Sequence, residues 1–253
     1  MFTMRVFLTG VTGYIGKRLL PVLLEQGHEV ICCLRDSSRF VMPPEHAEQV
    51  SVFEWDFTDP VDASQAPKEF DVAFYLIHAL SSSIDDFSRE EIATATHFKE
   101  YIEQTTCRQV IYLGGIANEA KLSKHLASRK GVEEVLNEGA FATTILRAAI
   151  IVGSGSASFE IIRDLVEKLP VMVTPRWLNT RCQPIAVKNV IGYLTGVMLN
   201  PETYYQTFDI GGPDILTYKE MMLQFAKVRK LKRFILTLPV LTPRLSSYWL
   251  YFV

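Results

Sequence analysis

Three glycines at intervals of three residues, Gly10, Gly13 and Gly16, are the part of this chain whose spacing most clearly suggests chemistry. Gly10 permits a tight turn, Gly13 has no Cβ to block a pyrophosphate, and Gly16 lets a helix pack close to a sheet. A helix that begins in such a loop directs N–H groups and a partial positive charge at phosphates. The spacing therefore indicates a dinucleotide site, although a tight strand-to-helix turn in another doubly wound protein has the same pattern.

The segments on either side of this loop have the periodicity that such a site requires. A short apolar run at residues 5–8 predicts a strand, and the pattern over residues 14–26 predicts a helix. Thr12, Tyr14 and Ile15 lie between the glycines and are expected to line the same loop. Strand, glycine turn and helix together are the context of a dinucleotide-binding loop.

Further apolar runs alternate with helical patterns along the chain. Strands are predicted at residues 29–34, 50–55, 71–77, 109–113 and 143–147, and helices at residues 86–105 and 123–138. This alternation predicts an α/β protein with a doubly wound parallel-sheet Rossmann fold. After residue 153 the pieces become shorter. We therefore expect a Rossmann domain over residues 1–153, which also receives later elements, and a small substrate-covering lobe over residues 154–253.

The composition describes a soluble globular protein. Of the 253 residues, 48% are hydrophobic and 21% are charged, and the net charge of −2 provides no basic field for nucleic acid. Cys32 and Cys33 lie in an apolar run and are expected to be buried thiols in a reducing compartment, so a cytoplasmic location is predicted. The five histidines lack ligand spacing, and no metal site is expected.

The C-terminal segment, residues 234–253, is largely apolar. Pro239, Pro243 and Arg244 argue against a helix that spans a membrane. We interpret the segment as one that normally packs against a further domain that follows it. Such a surface would otherwise promote self-association, so a homo-oligomer is a second possibility.

The loop sequence TGVTGYIG at residues 9–16 resembles the TGxTGxxG loop of the extended and atypical short-chain dehydrogenase/reductases, which include nucleotide-sugar epimerases and NmrA-like proteins. LRAAIIVG at residues 146–153 resembles the L-R-P-x-x-V-x-G segment of that family. FDIGGP at residues 208–213 and TYKE at residues 217–220 resemble its F-x-I-G-G-P and T-Y-x-E motifs. The resemblance extends over essentially the whole chain and is greatest to NmrA-like and YbjT-like NAD(P)-binding proteins. In the YbjT-like group a START-like domain follows the Rossmann part.

The end of the second predicted strand bears on the choice of cofactor. In such folds an acid there bonds the ribose 2′-hydroxyl of NAD, whereas an arginine accepts the 2′-phosphate of NADP. Arg35 and Asp36 are both present, and Leu34 takes the place of the acid of epimerases. Resemblance to the V-x-x-L-V-R-D run of NmrA-like proteins implies that Arg35 binds the phosphate, with Ser37 as a further donor. NADP is therefore expected, NAD remains possible, and an exposed arginine without a ligand is the alternative.

The resemblance implies further cofactor contacts. Asp56 would meet the adenine amino group and Phe57 would line the ring, although Asp56 could instead cap a helix. Ligands of open α/β sheets bind beyond the carboxyl ends of strands, where Ile77 and His78 are expected. In the family, the backbone of the L-R-P-x-x-V-x-G segment passes the nicotinamide carboxamide, and the resemblance implies three further cofactor contacts: Gly114, Lys130 and Arg147.

Two of the family's usual catalytic residues are missing from their places in this chain. The place of the usual Ser or Thr is held by Gly114-Gly115-Ile116, and no tyrosine occurs between Tyr112 and Tyr193. When the Tyr-x-x-x-Lys motif is aligned on Lys130, Leu126 takes the place of the tyrosine. A shift by one residue instead pairs His125 with Arg129.

Lys130 could bond the nicotinamide ribose or could be a solvated surface residue. The candidate proton donors are His125, His78 and Tyr75, each of which could equally be a packing residue. Two functions follow from the resemblance. One is an NADP(H)-dependent oxidoreductase or epimerase for a small carbonyl, quinone or sugar nucleotide. The other, favoured by the missing tyrosine and serine, is a non-catalytic dinucleotide sensor or assembly factor of the NmrA type.

Overall fold

The structure, a computed structural model, describes residues 3–62, 64–77, 84–116 and 124–238. The side chains of residues 84–88, 124–128 and 238 lie outside the described part. The strands are β1 (Arg5–Thr9), β2 (Glu29–Leu34), β3 (Val50–Glu54), β4 (Val72–Tyr75), β5 (Gln109–Gly115), β6 (Ala142–Ala148), β7 (Ile151–Val152), β8 (Val171–Pro175), β9 (Arg181–Cys182), β10 (Ile185–Ala186), β11 (Gln206–Ile210), β12 (Leu216–Thr217) and β13 (Phe234–Leu238). The helices are α1 (Gly16–Glu25), α2 (Ile84–Ile102), α3 (Lys124–Asn137), α4 (Ala157–Lys168), α5 (Val187–Gly196) and α6 (Tyr218–Val228).

Seven parallel strands form the main sheet, in the order β11-β6-β5-β4-β1-β2-β3. The chain runs outward from β1 to β3, then crosses back to β4 on the other side of β1. This reversal between β1 and β4 creates the crevice in which doubly wound proteins bind ligands. The predicted Rossmann fold is confirmed.

The sheet is parallel because its strands are apolar enough to be covered on both faces. In β2 every residue after Glu29 is buried. Helix α1 buries an apolar stripe of Leu19, Leu20, Leu23 and Leu24, the spacing of one helical face, and packs against β1 and β2. The other face of the sheet carries an aromatic core with α2 and α3, in which Phe7, Tyr75, Phe98, Tyr101 and Tyr112 are buried.

A buried glutamine joins the strands at the edge of this sheet. Gln109, at the start of β5, donates from Nε2 to Thr144 Oγ1 at 2.8 Å and to the Val197 carbonyl at 3.0 Å. Its Oε1 accepts from the Leu199 amide at 2.5 Å. Both polar atoms of the Gln109 side chain thus have protein partners, and these hydrogen bonds hold the segment after α5 against β5 and β6.

The chain divides into two compact units. The first consists of Met1–Ala148 and Lys188–Ile210, and the second of Ala149–Val187 and Gly211–Val253. The sequence placed a boundary at residue 153, whereas the first unit ends after Ala148, where β6 ends. Residues 188–210 belong to the same unit, and within it β11 pairs with β6 at the sheet edge.

The second unit has its own core of side chains from α4, α6, β8 and β13. Helix α6 begins in a capping box: Thr217 Oγ1 accepts from the Glu220 amide at 3.1 Å, and Glu220 Oε2 accepts from the Thr217 amide at 2.7 Å. The T-Y-x-E motif at residues 217–220 is therefore a helix start as well as a family resemblance. None of the helices in the described part of the chain is long and apolar enough to cross a membrane.

Candidate functional site

A cavity of about 390 Å³ opens in the first unit at the carboxyl ends of the central strands. It is bordered by the glycine loop, by the residues that follow β2, β3 and β4, by α2 and by the end of β5. The lining residues are Gly10, Thr12, Gly13, Tyr14, Ile15, Cys33, Leu34, Arg35, Arg39, Trp55, Asp56, Phe57, Thr58, Leu76, Ile77, Glu90, Thr94 and Leu113.

The turn at the start of the loop can be made only by glycine. Gly10 has φ +63°, and a Cβ built there would lie 2.5 Å from the Leu76 carbonyl oxygen. The neighbouring Thr9 joins β1 to β4, since its Oγ1 donates to the Phe74 carbonyl at 2.8 Å and accepts from the Leu76 amide at 2.9 Å. These contacts hold the loop at the reversal point of the sheet.

The other two glycines bring α1 up to the cavity. A Cβ at Gly16 would collide with the Gly10 carbonyl oxygen, so a side chain there would push the helix away from the loop. A Cβ at Gly13 would meet only the Gly10 oxygen, at 3.0 Å, which leaves the cavity side of the loop open. Helical bonding begins with the Lys17 amide, which donates to the Gly13 carbonyl at 3.0 Å. The amides of Ile15 and Gly16 therefore stand at the open end of the helix, the arrangement that suits an anion.

Arg35 and Asp56 face each other across the cavity wall that follows β2 and β3. Arg35 Nη1 lies 4.0 Å from Asp56 Oδ2, and the Arg35 side chain is 65% exposed. Asp56 Oδ1 accepts from the Thr58 amide at 3.1 Å. Asp56 therefore caps a turn with one oxygen and lies near Arg35 with the other, and its contact with adenine stays a prediction. Arg39 adds a second guanidinium to this wall.

Asp36 and Ser37 are engaged in the turn that follows β2. Asp36 Oδ1 accepts from the Ser38 amide at 3.0 Å and from the Ser38 hydroxyl at 2.6 Å. These hydrogen bonds lower the pKa of the Asp36 carboxyl. The Ser37 amide donates to Glu54 Oε2 at 2.9 Å, and the hydrogen bonds from Ser37 lower the pKa of Glu54. Asp36 therefore stabilises the turn, while the arginines line the cavity.

Aromatic and apolar side chains complete the wall expected to receive the adenine. Phe57 is buried, packs edge-on against Phe98 and offers its carbonyl to His97 Nδ1 at 3.0 Å. Ile77 lines the cavity directly after β4. Of the expected cofactor contacts, the structure gathers Gly10, Thr12, Gly13, Tyr14, Ile15, Arg35, Asp56, Phe57 and Ile77 around one cavity, with Gly16 behind the loop and Ser37 beside it.

Other expected site residues lie elsewhere. Tyr75 is 2% exposed and packs against Phe98 and Tyr112 in the aromatic core; burial, followed by the proximity of Tyr112, raises its pKa well above the ordinary value. Lys130 is exposed on α3 and does not line the cavity. His78 lies outside the described residues, and His125 is within α3 but its side chain lies outside the described part. No proton donor among the expected ones is therefore seen at the cavity in the described part of the chain.

Several lining residues were not singled out from the sequence. Glu90 and Thr94 reach the cavity from α2, where their spacing of four places them on one helical face. A further residue, Arg129 of α3, does not line the cavity but approaches the end of β5: a Cβ at Gly115 would overlap Nη1 of Arg129. The alignment shifted by one residue, which pairs Arg129 with His125, is the signal that points to it.

The reversal in the sheet, the glycine loop and the cavity at the open end of α1 define the class by fold: a doubly wound α/β protein with a Rossmann fold. Residues 6–120 match the model of the NAD dependent epimerase/dehydratase family. The resemblance to the epimerase branch that the loop sequence predicted is confirmed. The narrower resemblance to NmrA-like and YbjT-like proteins stays a prediction. No curated protein matches the chain.

Solved structures of sugar-nucleotide enzymes have the same fold. One is a nucleoside-diphosphate-sugar epimerase from Staphylococcus aureus, with 15% identity and a TM-score of 0.78 over 97% of this chain and 84% of that chain. A second is UDP-glucuronic acid 4-epimerase from Bacillus cereus in complex with NAD, with 15% identity and a TM-score of 0.73 over 93% and 88%. A third is UDP-glucose 4-epimerase from Thermotoga maritima with UDP-glucose, with 14% identity and a TM-score of 0.73 over 95% and 87%.

Proposed function

We propose that the cavity of the first unit binds NADP(H) and that the protein is an atypical oxidoreductase or epimerase acting on a small carbonyl, a quinone or a sugar nucleotide. The observation that carries the proposal is the glycine loop, in which Gly10 and Gly16 tolerate no Cβ and Gly13 leaves the cavity side open. Such a loop at the open end of α1 suits a pyrophosphate. The names of the similar structures, which include epimerases with bound NAD or UDP-glucose, support the same class.

The wall after β2 supports NADP over NAD. Arg35 and Arg39 bring two guanidinium groups to the cavity side of it. Leu34 has no side-chain acceptor for a ribose 2′-hydroxyl, and Oδ1 of Asp36 already accepts two hydrogen bonds from Ser38. A guanidinium fork can bond a phosphate bidentately, whereas a hydroxyl would leave much of that capacity unused.

The end of β5 is where this protein departs from the usual reaction. NADP(H) would supply a hydride when bound, and the protein would have to deliver the accompanying proton. A positioned acid typically contributes about 10²–10⁴-fold to such a step. Gly114 and Gly115 provide no hydroxyl at the end of β5, and Tyr75 is buried in the core. We therefore expect slow turnover of ordinary aldehydes and ketones, with His125 or His78 as the source of any proton.

The same departure favours the alternative function, a dinucleotide sensor or assembly factor of the NmrA type. A sensor needs the cofactor wall but not a proton donor. The described part of the site has the former: glycine loop, arginines and Asp56 surround one cavity. The two functions differ in one measurable respect, which is whether bound NADPH is consumed when a carbonyl is added.

Cofactor preference tests the proposal directly. NADPH and NADH titrations followed by fluorescence should give tighter NADPH binding. Arg35→Ala should weaken NADPH binding by roughly 10- to 100-fold, the loss expected for charge-assisted hydrogen bonds, and should change the affinity for NADH little. Arg108→Ala is the matched control, since Arg108 precedes β5 at the opposite end of the sheet and pairs with Asp71. Equal affinities for both cofactors, or an unchanged preference in Arg35→Ala, would contradict NADP binding by this wall.

Turnover separates enzyme from sensor. Aldehydes, ketones, quinones and UDP-sugars would be screened with NADPH-loaded protein, and His125→Gln and His78→Gln would be tested on any active substrate. Loss of the rate in one variant with unchanged NADPH affinity identifies the proton donor. Tight cofactor binding with no consumption over the whole screen supports the sensor. Efficient reduction that survives both substitutions would contradict the assignment of the donors.

A further inference from the structure

The two glycines at the end of β5 make room for charged side chains of α3. A Cβ built on Gly114 would lie 3.1 Å from Glu133 Oε1 and 3.1 Å from Tyr112 Cε1. A Cβ built on Gly115 would overlap Nη1 of Arg129. The place of the usual hydroxyl residue is therefore not empty, because a guanidinium lies against the backbone there.

A buried ion pair supports this arrangement. Glu133 is 5% exposed and lies one turn after Arg129 on α3. Arg147 of β6 donates from Nε to Glu133 Oε1 at 3.0 Å and to Oε2 at 3.1 Å, and its Nη2 also donates to Oε2. Because residues four apart share one face of a helix, fixing Glu133 against β6 also fixes the face that carries Arg129. Arg147, expected from the resemblance to contribute to the site, thus acts as a positioning residue for α3.

Arg129 has the location and chemistry of an anion ligand. The dinucleotide cavity extends to Leu113, and Gly115 lies two residues further along the same strand, beyond whose carboxyl end ligands of such sheets bind. Arg129 is half-buried, so its guanidinium is partly shielded from water but still accessible. A guanidinium donates hydrogen bonds and keeps its proton at all ordinary pH values, so it can bind an anion but cannot act as an acid.

We propose that Arg129 binds a carboxylate of the substrate at the carboxyl end of β5. One guanidinium matches the single charge and planar shape of a carboxylate, whereas a phosphate dianion would leave excess negative charge near Glu133. The inference rests on the proposed function, because it places the carboxylate next to a bound dinucleotide. The role differs from the one expected of its exposed neighbour Lys130, which was a bond to the nicotinamide ribose.

The test compares pyruvate with its neutral amide, pyruvamide, on NADPH-loaded protein at constant ionic strength, with the fluorescence of bound NADPH as the readout. Wild type should bind pyruvate more tightly than pyruvamide. Arg129→Gln should weaken pyruvate binding roughly 10- to 100-fold without changing the affinity for NADPH. Arg129→Lys, which keeps the charge but loses the guanidinium fork, should bind pyruvate with an affinity between those of wild type and Arg129→Gln. The matched control is Arg89→Gln, which removes the same charge from an exposed position on α2.

A second variant should displace the Arg129 guanidinium without replacing Arg129 itself. Gly115→Ala should displace Arg129 and therefore also weaken pyruvate binding. Gly192→Ala, whose Cβ would meet nothing within 4 Å, should leave pyruvate binding unchanged. If Arg129→Gln does not fold, Arg129→Lys and Gly115→Ala decide the question. Unchanged pyruvate binding in these variants, no preference for pyruvate over pyruvamide in wild type, or loss only in Lys130→Gln would overturn the proposal. If NADPH does not bind, the proposed function fails separately, and pyruvate titration of the cofactor-free protein by thermal shift still tests Arg129.

Discussion

Replacing Gly10 with alanine would test how the glycine loop is held at the reversal point of the sheet. The native residue has φ +63°, a conformation that L-residues rarely adopt. The new Cβ would also lie 2.5 Å from the Leu76 carbonyl oxygen. Leu76 cannot easily retreat, because its amide donates to the buried Thr9 hydroxyl at 2.9 Å. Two separate costs are therefore expected.

Their sizes follow from the geometry. Holding alanine in the left-handed region costs about 1–2 kcal/mol. Relieving the overlap requires the end of β4 to shift, and overpacking of this kind costs about 1–3 kcal/mol. Gly10→Ala should therefore lower the free energy of unfolding by about 2–5 kcal/mol. Gly27 is the matched control: its φ is +81°, and a Cβ there would meet nothing within 4 Å, so Gly27→Ala has the strain without the overlap.

Urea unfolding followed by circular dichroism would measure both variants, and NADPH titration would follow binding. Gly10→Ala should lose clearly more stability than Gly27→Ala, by about 1–3 kcal/mol, and should bind NADPH more weakly. Gly27→Ala should lose about 1–2 kcal/mol and keep the affinity. Equal losses in the two variants would refute the reasoning, because the contact with Leu76 would then contribute nothing.

Three further outcomes are expected. Burial lowers the pKa of His28, whose Nδ1 accepts from the Met4 amide at 3.3 Å. Because the unfolded chain takes up the proton near the ordinary pKa of 6.5, the contribution of neutral His28 to stability should be full above that pH and fall below it. His28→Gln should therefore make the free energy of urea unfolding depend less on pH between about pH 7 and 5. Gln109→Leu should lower the free energy of unfolding by about 2–4 kcal/mol because its partners stay buried without it, and a loss below about 1 kcal/mol would contradict this role. Phe234 and Leu236 are 65% and 47% exposed on β13, so replacing both with serine should reduce self-association measured by light scattering. A strictly monomeric wild-type protein would contradict a role of this surface in self-association.

The Rossmann architecture and the position of its cofactor loop could be predicted from local patterns. Apolar runs of strand length, glycines at fixed intervals and a following helical period are properties of short segments, and each restricts the backbone on its own. Element ends were less accurate. The strand predicted at residues 143–147 extends over Ala142–Ala148, and a second short strand, Ile151–Val152, follows it, because pairing partners rather than apolar character decide where a strand stops.

The sequence by itself determined that a glycine loop between a strand and a helix is followed by Arg35 and Asp56 at the ends of successive strands. Only the tertiary structure decided what lies at the end of β5. On a helix, neighbouring residues such as Arg129 and Lys130 differ in direction by about 100°, so a one-residue ambiguity in alignment exchanges the side that faces β5 for the solvent side. The structure places Arg129 against Gly115 and leaves Lys130 exposed, and the ion pair between Glu133 and Arg147 joins residues from α3 and β6. Such contacts depend on how the elements pack, which no local pattern specifies.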